Sequence, residues 1–161
     1  MMALVIVSTM IRVPSTRIHL GNTMCLFSGF LFMPMEAGLV AGLGSFIYDL
    51  LFYPGSTAFS LFFTLMNKFF MGFFTSLIFR MFGKNKNMGL VVGSVIGEAV
   101  YIVLYMTKTY IEQHLILNVA TNATYAIMIE KLGTSLINAA FAIIFSIILY
   151  KALYNKIKEI L

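Results

Sequence analysis

Long apolar stretches that carry almost no charge dominate this sequence. Residues 59–79 contain a single charged side chain, Lys68, among Phe, Leu, Met and Ile. Of all 161 residues, 60% are hydrophobic and 11% are charged, whereas soluble domains carry about 25% charged residues. The chain is therefore predicted to be an integral membrane protein. At roughly 20 apolar residues per crossing, we expect one all-α transmembrane domain over residues 1–161, a bundle of six helices.

Proline, glycine and polar residues divide the chain into these helices. Pro14 ends the first apolar stretch, Pro34 and Pro54 mark turns, and "GKNKN" is a polar break. The first stretch is too short to cross about 30 Å of hydrocarbon, which suggests that an amino-terminal piece is missing. The predicted helices cover about 1–13, 20–33, 37–53, 59–82, 89–107 and 133–154, with a short amphipathic outer helix over 119–131.

The distribution of basic residues predicts the orientation. The net charge is +5, but the basic side chains are scattered singly and form no stripe, so nucleic acid is not expected as a partner. Basic residues concentrate on the cytoplasmic side of membrane proteins. With both termini on that side, the cytoplasmic face holds Arg80, Lys84, Lys86, Lys151, Lys156 and Lys158, against Arg12, Arg17, Lys108 and Lys131 outside.

The sequence lacks the patterns of a catalytic, metal or nucleotide site. The single cysteine, Cys25, excludes an internal disulfide. His19 and His114 have no cysteine or carboxylate at metal-ligand spacing, and neither a GxSxG turn nor a GxxxxGKS loop occurs. We expect no cofactor, no metal and no catalytic residues.

Small residues recur at four-residue spacing in two predicted helices. Gly89, Gly93 and Gly97 follow this pattern in one helix, and Ala37 and Ala41 begin a similar stripe in another. Such stripes allow another helix backbone to approach closely. They predict packing surfaces within the bundle.

Four charged side chains lie within apolar segments, where each needs a partner or a function. They are Asp49, Lys68, Glu98 and Lys108. A structural ion pair is an equally good explanation for Asp49 or Glu98, whereas Lys68, beside Asn67 in the middle of its helix, is the stronger functional candidate. Tyr101 and Tyr105 fall between Glu98 and Lys108 on one helix stripe. This stripe predicts a pocket for a small, partly aromatic polar solute.

Several segments together resemble the S component, the substrate-binding membrane subunit, of energy-coupling factor (ECF) transporters. They run from "RVPSTRIHLGNTMCLFSGFLF" through "AGLVAGLGSFIYDLLFYP" and "TLMNKFFMGFFTSLIFR" to "KLGTSLINA". The resemblance implies a six-helix vitamin-binding protein of the bacterial plasma membrane, with both termini cytoplasmic. It would work with a transmembrane coupling subunit and two cytoplasmic ATPases, and topple in the bilayer to release its ligand.

The resemblance also nominates residues by position. The family usually presents small residues at four-residue spacing on the first helix to dock the coupling subunit, and here only Ala3 is available. The implied ligand-binding residues are Arg17, His19, Asn22, Asn67, Lys68, Tyr101, Tyr105, Lys108 and Asn138.

The ligand is not readable from these residues. Arg17, Lys68 and Lys108 favour an acid such as pantothenate or a folate, but a neutral pyrimidine, pyridoxine or riboflavin stays open. Two other functions are alternatives to transport. A structural or assembly protein would use the buried charges only to set helix register, and an intramembrane enzyme would need a paired acid and base that the sequence lacks.

Overall fold

The structure is an all-α bundle, as the sequence predicts. The computed structural model describes residues 1–11, 20–55, 57–83 and 86–160, with side chains except at 86 and 154–160. A π-helical segment, Ile111–Ile116, directly continues the fifth helix. The α-helices of the described ranges are α1 (Met2–Met10), α2 (Gly21–Leu31), α3 (Pro34–Phe52), α4 (Ala58–Met81), α5 (Lys86–Tyr110) and α6 (Thr121–Ile160).

Four stretches of the described chain are long and apolar enough to cross a membrane. They are Pro34–Phe52, Ala58–Met81, Asn87–Ile116 and Thr121–Leu153. The helices α1 and α2 have 9 and 11 residues, which at 1.5 Å per residue is less than about 17 Å each. The protein is thus a multi-pass membrane protein, but the predicted count of six membrane-spanning helices is not confirmed.

The start of α3 differs from the prediction, which placed Pro34 and Glu36 in a turn before a helix from Ala37. Pro34 is instead the first residue of α3. Proline suits this position because its fixed φ is helical and the amide hydrogen it lacks would have no partner there. The Glu36 carboxylate also accepts a hydrogen bond from the Met33 amide at 3.2 Å. The turn residues therefore form the first turn of the helix.

The last helix corrects a second prediction. In place of a short outer helix over 119–131 and a separate helix from 133, α6 is continuous from Thr121 to Ile160. Gly133 does not interrupt it, because a glycine inside a helix costs only about 1 kcal/mol relative to alanine and removes no hydrogen bond. Lys131 and Asn138 therefore lie on one continuous helix, about two turns apart.

The helix α4 packs mainly against α3 and α5, and it also contacts α2. The predicted small-residue stripes of α5 and α3 take part in both contacts, and Gly72 of α4, which no predicted stripe included, faces the stripe of α3. A Cβ atom added at Gly93 of α5 would lie 2.9 Å from the Thr75 carbonyl oxygen of α4, and one added at Gly72 of α4 would lie 2.6 Å from the Ala37 carbonyl oxygen of α3. The missing side chains allow the three helix backbones to approach closely.

The last residues of α1, α3 and α5 and the first residues of α2, α4 and α6 lie at one end of the bundle, which we call the pocket end. The last residues of α2 and α4 and the first residues of α3 and α5 lie at the other end. Of the segments that the sequence analysis assigned to the outer side, residues 53–55 and 108–131 lie toward the pocket end, and residues 12–19 fall outside the described residues.

Candidate binding site

A cavity of about 450 Å³ opens into the pocket end of the bundle. All six helices contribute to it, each through the part nearest that end. Volumes of this size are typical of small-molecule sites. The cavity is lined by Thr9, Gly21, Ser45, Tyr48, Asp49, Tyr53, Thr64, Asn67, Lys68, Tyr101, Tyr105, Lys108, Lys131, Thr134, Ser135 and Asn138.

Two tyrosines on α5 form an aromatic wall of this cavity. The rings of Tyr101 and Tyr105 lie nearly parallel, at 13°, with centroids 5.8 Å apart. Their four-residue spacing places them one turn apart on the same helix face. The wall offers π surface to a flat ligand.

Lys68 belongs to a buried network that joins three helices. Its ammonium group lies 3.9 Å from the centroid of the Tyr101 ring and donates a hydrogen bond to Oδ1 of Asn22 on α2. The Asn22 amide in turn donates to both carboxylate oxygens of Glu98 on α5, at 3.1 and 3.2 Å. All three polar groups are at most 6% exposed. A single amide therefore connects the buried cation to the buried anion.

Two further lysines line the cavity. Lys108 Nζ donates to Ser60 Oγ at 2.6 Å, and Lys131 Nζ lies 5.8 Å from the centroid of the Tyr105 ring. The carboxylate of Asp49 lines the same cavity. The site thus combines both signs of charge with aromatic surface.

Asn67 differs from the other buried side chains of the cavity. It is only 2% exposed, and its amide oxygen has no hydrogen-bond partner within the described part of the protein. Buried polar atoms are nearly always paired, so such an exception needs an explanation.

Most of the residues nominated from the sequence meet in this cavity. Asn22 does not line it but lies behind Lys68, and Arg17 and His19 fall outside the described residues. The six nominated residues that line the cavity are Asn67, Lys68, Tyr101, Tyr105, Lys108 and Asn138.

The sequence analysis missed other lining residues, notably on α6 and α3. Lys131, Ser135 and Asn138 follow one another at four and three residues, which is one face of a helix. The predicted break before Gly133 concealed this polar stripe. On α3, Tyr48 and Asp49 lie one turn after Ser45, and a search for polar residues at helical spacing would have grouped them.

The described residues include no group of three or more His, Cys, Asp or Glu side chains that is suited to a metal ion. The donors of the cavity are instead lysine, amide and hydroxyl groups. They are suited to an organic ligand with hydrogen-bonding groups.

Comparison with known proteins gives one result. A family model described as "ECF-type riboflavin transporter, S component" matches residues 1–155. Searches of curated proteins and of solved structures give no match. The family match covers nearly the whole chain, including every residue that lines the cavity.

Proposed function

Because the chain belongs to the family of S components of ECF-type riboflavin transporters, we propose that it is the substrate-binding subunit of an ECF importer. It captures a vitamin or vitamin precursor at the outer side of the bacterial membrane and does no chemistry on it. Uptake is driven by ATP hydrolysis in partner subunits.

The cavity at the pocket end is the observation that carries this proposal. Lys68 and Asn67 line this cavity, and they are only 6% and 2% exposed. They lie on a helix that is long and apolar enough to span a bilayer. Polar groups in such a position are costly and usually functional. A bound solute that contacts them offsets part of this cost.

Riboflavin is the first ligand to test, because the family description names it. The tyrosine wall and the cavity of about 450 Å³ suit a flat ring system with polar substituents. Pantothenate, folate, pyridoxine and pyrimidine precursors are the comparison ligands.

We further propose six membrane crossings, with α1 and α2 completing the bundle, the pocket end outside and both termini in the cytoplasm.

The proposed partners are a transmembrane coupling subunit and two cytoplasmic ATPases. Ala3, exposed on α1, is the proposed docking position for the coupling subunit. Affinity purification of the tagged chain from its own membranes should recover an ATPase-containing complex, and an Ala3→Leu variant should recover less of it.

The direct test of ligand capture is native mass spectrometry of the protein purified in mild detergent. We expect a retained small molecule, released on denaturation and identified by its mass. Protein that carries no small molecule, binds none of the vitamins above and supports no uptake in cells would refute the proposal.

A variant pair tests whether the tyrosine wall contacts the ligand. Tyr105→Leu should weaken binding by about 2- to 13-fold, because an aromatic contact contributes about 0.5–1.5 kcal/mol beyond its buried area. Tyr125→Leu is the matched control, since Tyr125 lies outside the cavity and is 53% exposed. Isothermal titration of both variants measures the difference, and equal affinities would place the ligand away from α5.

A further inference from the structure

Two buried polar residues lie behind the cavity wall and do not reach the cavity. Asn22 of α2 and Glu98 of α5 are 1% and 2% exposed, and neither lines the cavity. Burying such groups is costly unless they are paired. Both belong to one series of hydrogen bonds that ends at Lys68, which does line the cavity. These two residues can therefore act on the ligand site through Lys68.

The orientation of the Asn22 amide is fixed from both sides. Its oxygen accepts a hydrogen bond from Lys68 Nζ, and its NH2 group donates to both carboxylate oxygens of Glu98, at 3.1 and 3.2 Å. An amide has its acceptor on one side and its donors on the other. Rotating it by half a turn would place the oxygen against the carboxylate and the NH2 group against the ammonium group. Both contacts would be repulsive, so only the observed orientation is stable.

The fixed amide in turn holds Lys68 in one place. A lysine side chain is long and flexible, and the cavity also contains the Asp49 carboxylate as an alternative partner for its ammonium group. The hydrogen bond to Asn22 instead holds the ammonium group 3.9 Å from the centroid of the Tyr101 ring. The carboxylate of Glu98, on the far side of the amide, balances its charge. Protein contacts alone thus place the cation at one point of the cavity wall.

We infer that Asn22 and Glu98 are positioning residues, which set the ligand affinity through Lys68 without contacting the ligand. Glu98 orients the Asn22 amide, and the amide places the ammonium group that meets the ligand. Such preorganisation raises affinity because a flexible side chain does not have to be ordered during binding. Asn22, which the family resemblance nominates as a ligand contact, takes an indirect role instead. This inference rests on the proposed function, because it concerns the same cavity.

The test changes each positioning residue and measures riboflavin binding by isothermal titration in detergent. Asn22→Leu should weaken binding about 10- to 150-fold, the usual cost of one hydrogen bond to a charged group. Glu98→Gln should weaken it about tenfold, because a charge-assisted hydrogen bond becomes a neutral one and the ammonium group can turn toward Asp49. Ser28→Ala is the matched control, since Ser28 is buried on α2 but its hydrogen bond stays within that helix. It should bind as the native protein does.

A double variant exchanges the amide and the carboxylate of the network. In Asn22→Asp with Glu98→Gln, the carboxylate at position 22 accepts from Lys68 and from the new amide at position 98. The net charge is that of the native protein, and the side chains have nearly the same size. Binding should return to within about threefold of the native affinity, as expected of residues that act as one network. The rescue is measured against Glu98→Gln alone.

A spectroscopic signature separates positioning from a purely structural role. A cation close to an aromatic ring interacts with its π system, so displacement of the ammonium group from the Tyr101 ring should change the near-ultraviolet circular dichroism of the tyrosine bands. Lys68→Met provides the reference change. The ligand-free spectrum of Asn22→Leu should change in the same direction, whereas that of Ser28→Ala should match the native spectrum. Thermal unfolding checks that each variant is folded.

The outcomes separate this inference from the proposed function. Native affinity in Asn22→Leu and Glu98→Gln, or a double variant that binds no better than Glu98→Gln, overturns the inference and leaves vitamin capture standing. A native tyrosine spectrum in Asn22→Leu does the same. If Asn22→Leu does not fold, the size-conserving variants decide. If the native protein does not bind riboflavin, the tightest-binding comparison vitamin replaces it, and binding of none by protein that carries no ligand overturns both.

Discussion

Replacing Lys68 with Met is expected to abolish ligand binding and to lower the free energy of unfolding by about 3–5 kcal/mol. Lys68 is 6% exposed and lines the cavity, so its loss removes a donor from the site. It also leaves Glu98, at 2% exposure, without its cation. Thermal unfolding and ligand titration in the same detergent measure the two effects separately.

The double variant Lys68→Met with Glu98→Gln is the matched control for this prediction. Neutralising Glu98 removes the unpaired buried charge, so stability should largely return while ligand binding stays lost. Such non-additivity is expected of residues in one hydrogen-bonded network. A single variant as stable as the native protein would show that Glu98 does not depend on Lys68. The alternative of a structural or assembly protein predicts that Lys68→Met changes stability but leaves vitamin uptake untouched.

Replacing Gly72 with Ala should destabilise the bundle by about 3 kcal/mol, near the upper end of the usual cost of overpacking. The added Cβ would lie 2.6 Å from the Ala37 carbonyl oxygen and 3.0 Å from the Ala41 side chain. The obstructing atoms belong to the α3 backbone and to a Cβ atom fixed directly to it, so they cannot move aside as the end of a flexible side chain can. The midpoint of thermal unfolding should fall by about 6–12 °C.

Gly133→Ala tests the same substitution in an open part of the structure. A Cβ atom added there meets nothing within 4 Å, and alanine favours the helix by about 1 kcal/mol relative to glycine. We expect this variant to be as stable as the native protein or slightly more so. Similar unfolding temperatures for the two variants would contradict the close contact between α3 and α4.

Properties that depend on local pattern could be predicted from the sequence. Apolar stretches interrupted by proline and glycine indicated membrane helices, because length and hydropathy control insertion into a bilayer. Tyr101, Tyr105 and Lys108 were expected on one stripe, since helical spacing alone places them together, and all three line the cavity. The glycine stripes likewise predicted close helix contacts, which α4 makes on both sides.

Helix ends were harder to predict, because the free-energy difference between ending a helix and extending it by a few residues is small. Pro34 was expected in a turn, yet it is compatible with the first position of α3. Gly133 was expected near a break, yet the continuous backbone hydrogen bonding of α6 outweighs its low helix propensity. This second error hid Lys131 and Ser135 from the predicted site.

Local pattern established the membrane class, the helical stripes and the side chains that each helix could offer to a pocket. The partners of those side chains depended on the packing of distant segments. Asn22 lies 46 residues from Lys68 and 76 from Glu98, and no spacing rule connects them. Only the rotation and depth of α2, α4 and α5 relative to one another bring Lys68, Asn22 and Glu98 into one hydrogen-bonded network. The rotation and depth of each helix depend on its contacts with all the others, whereas helical periodicity describes the arrangement of residues within a single helix.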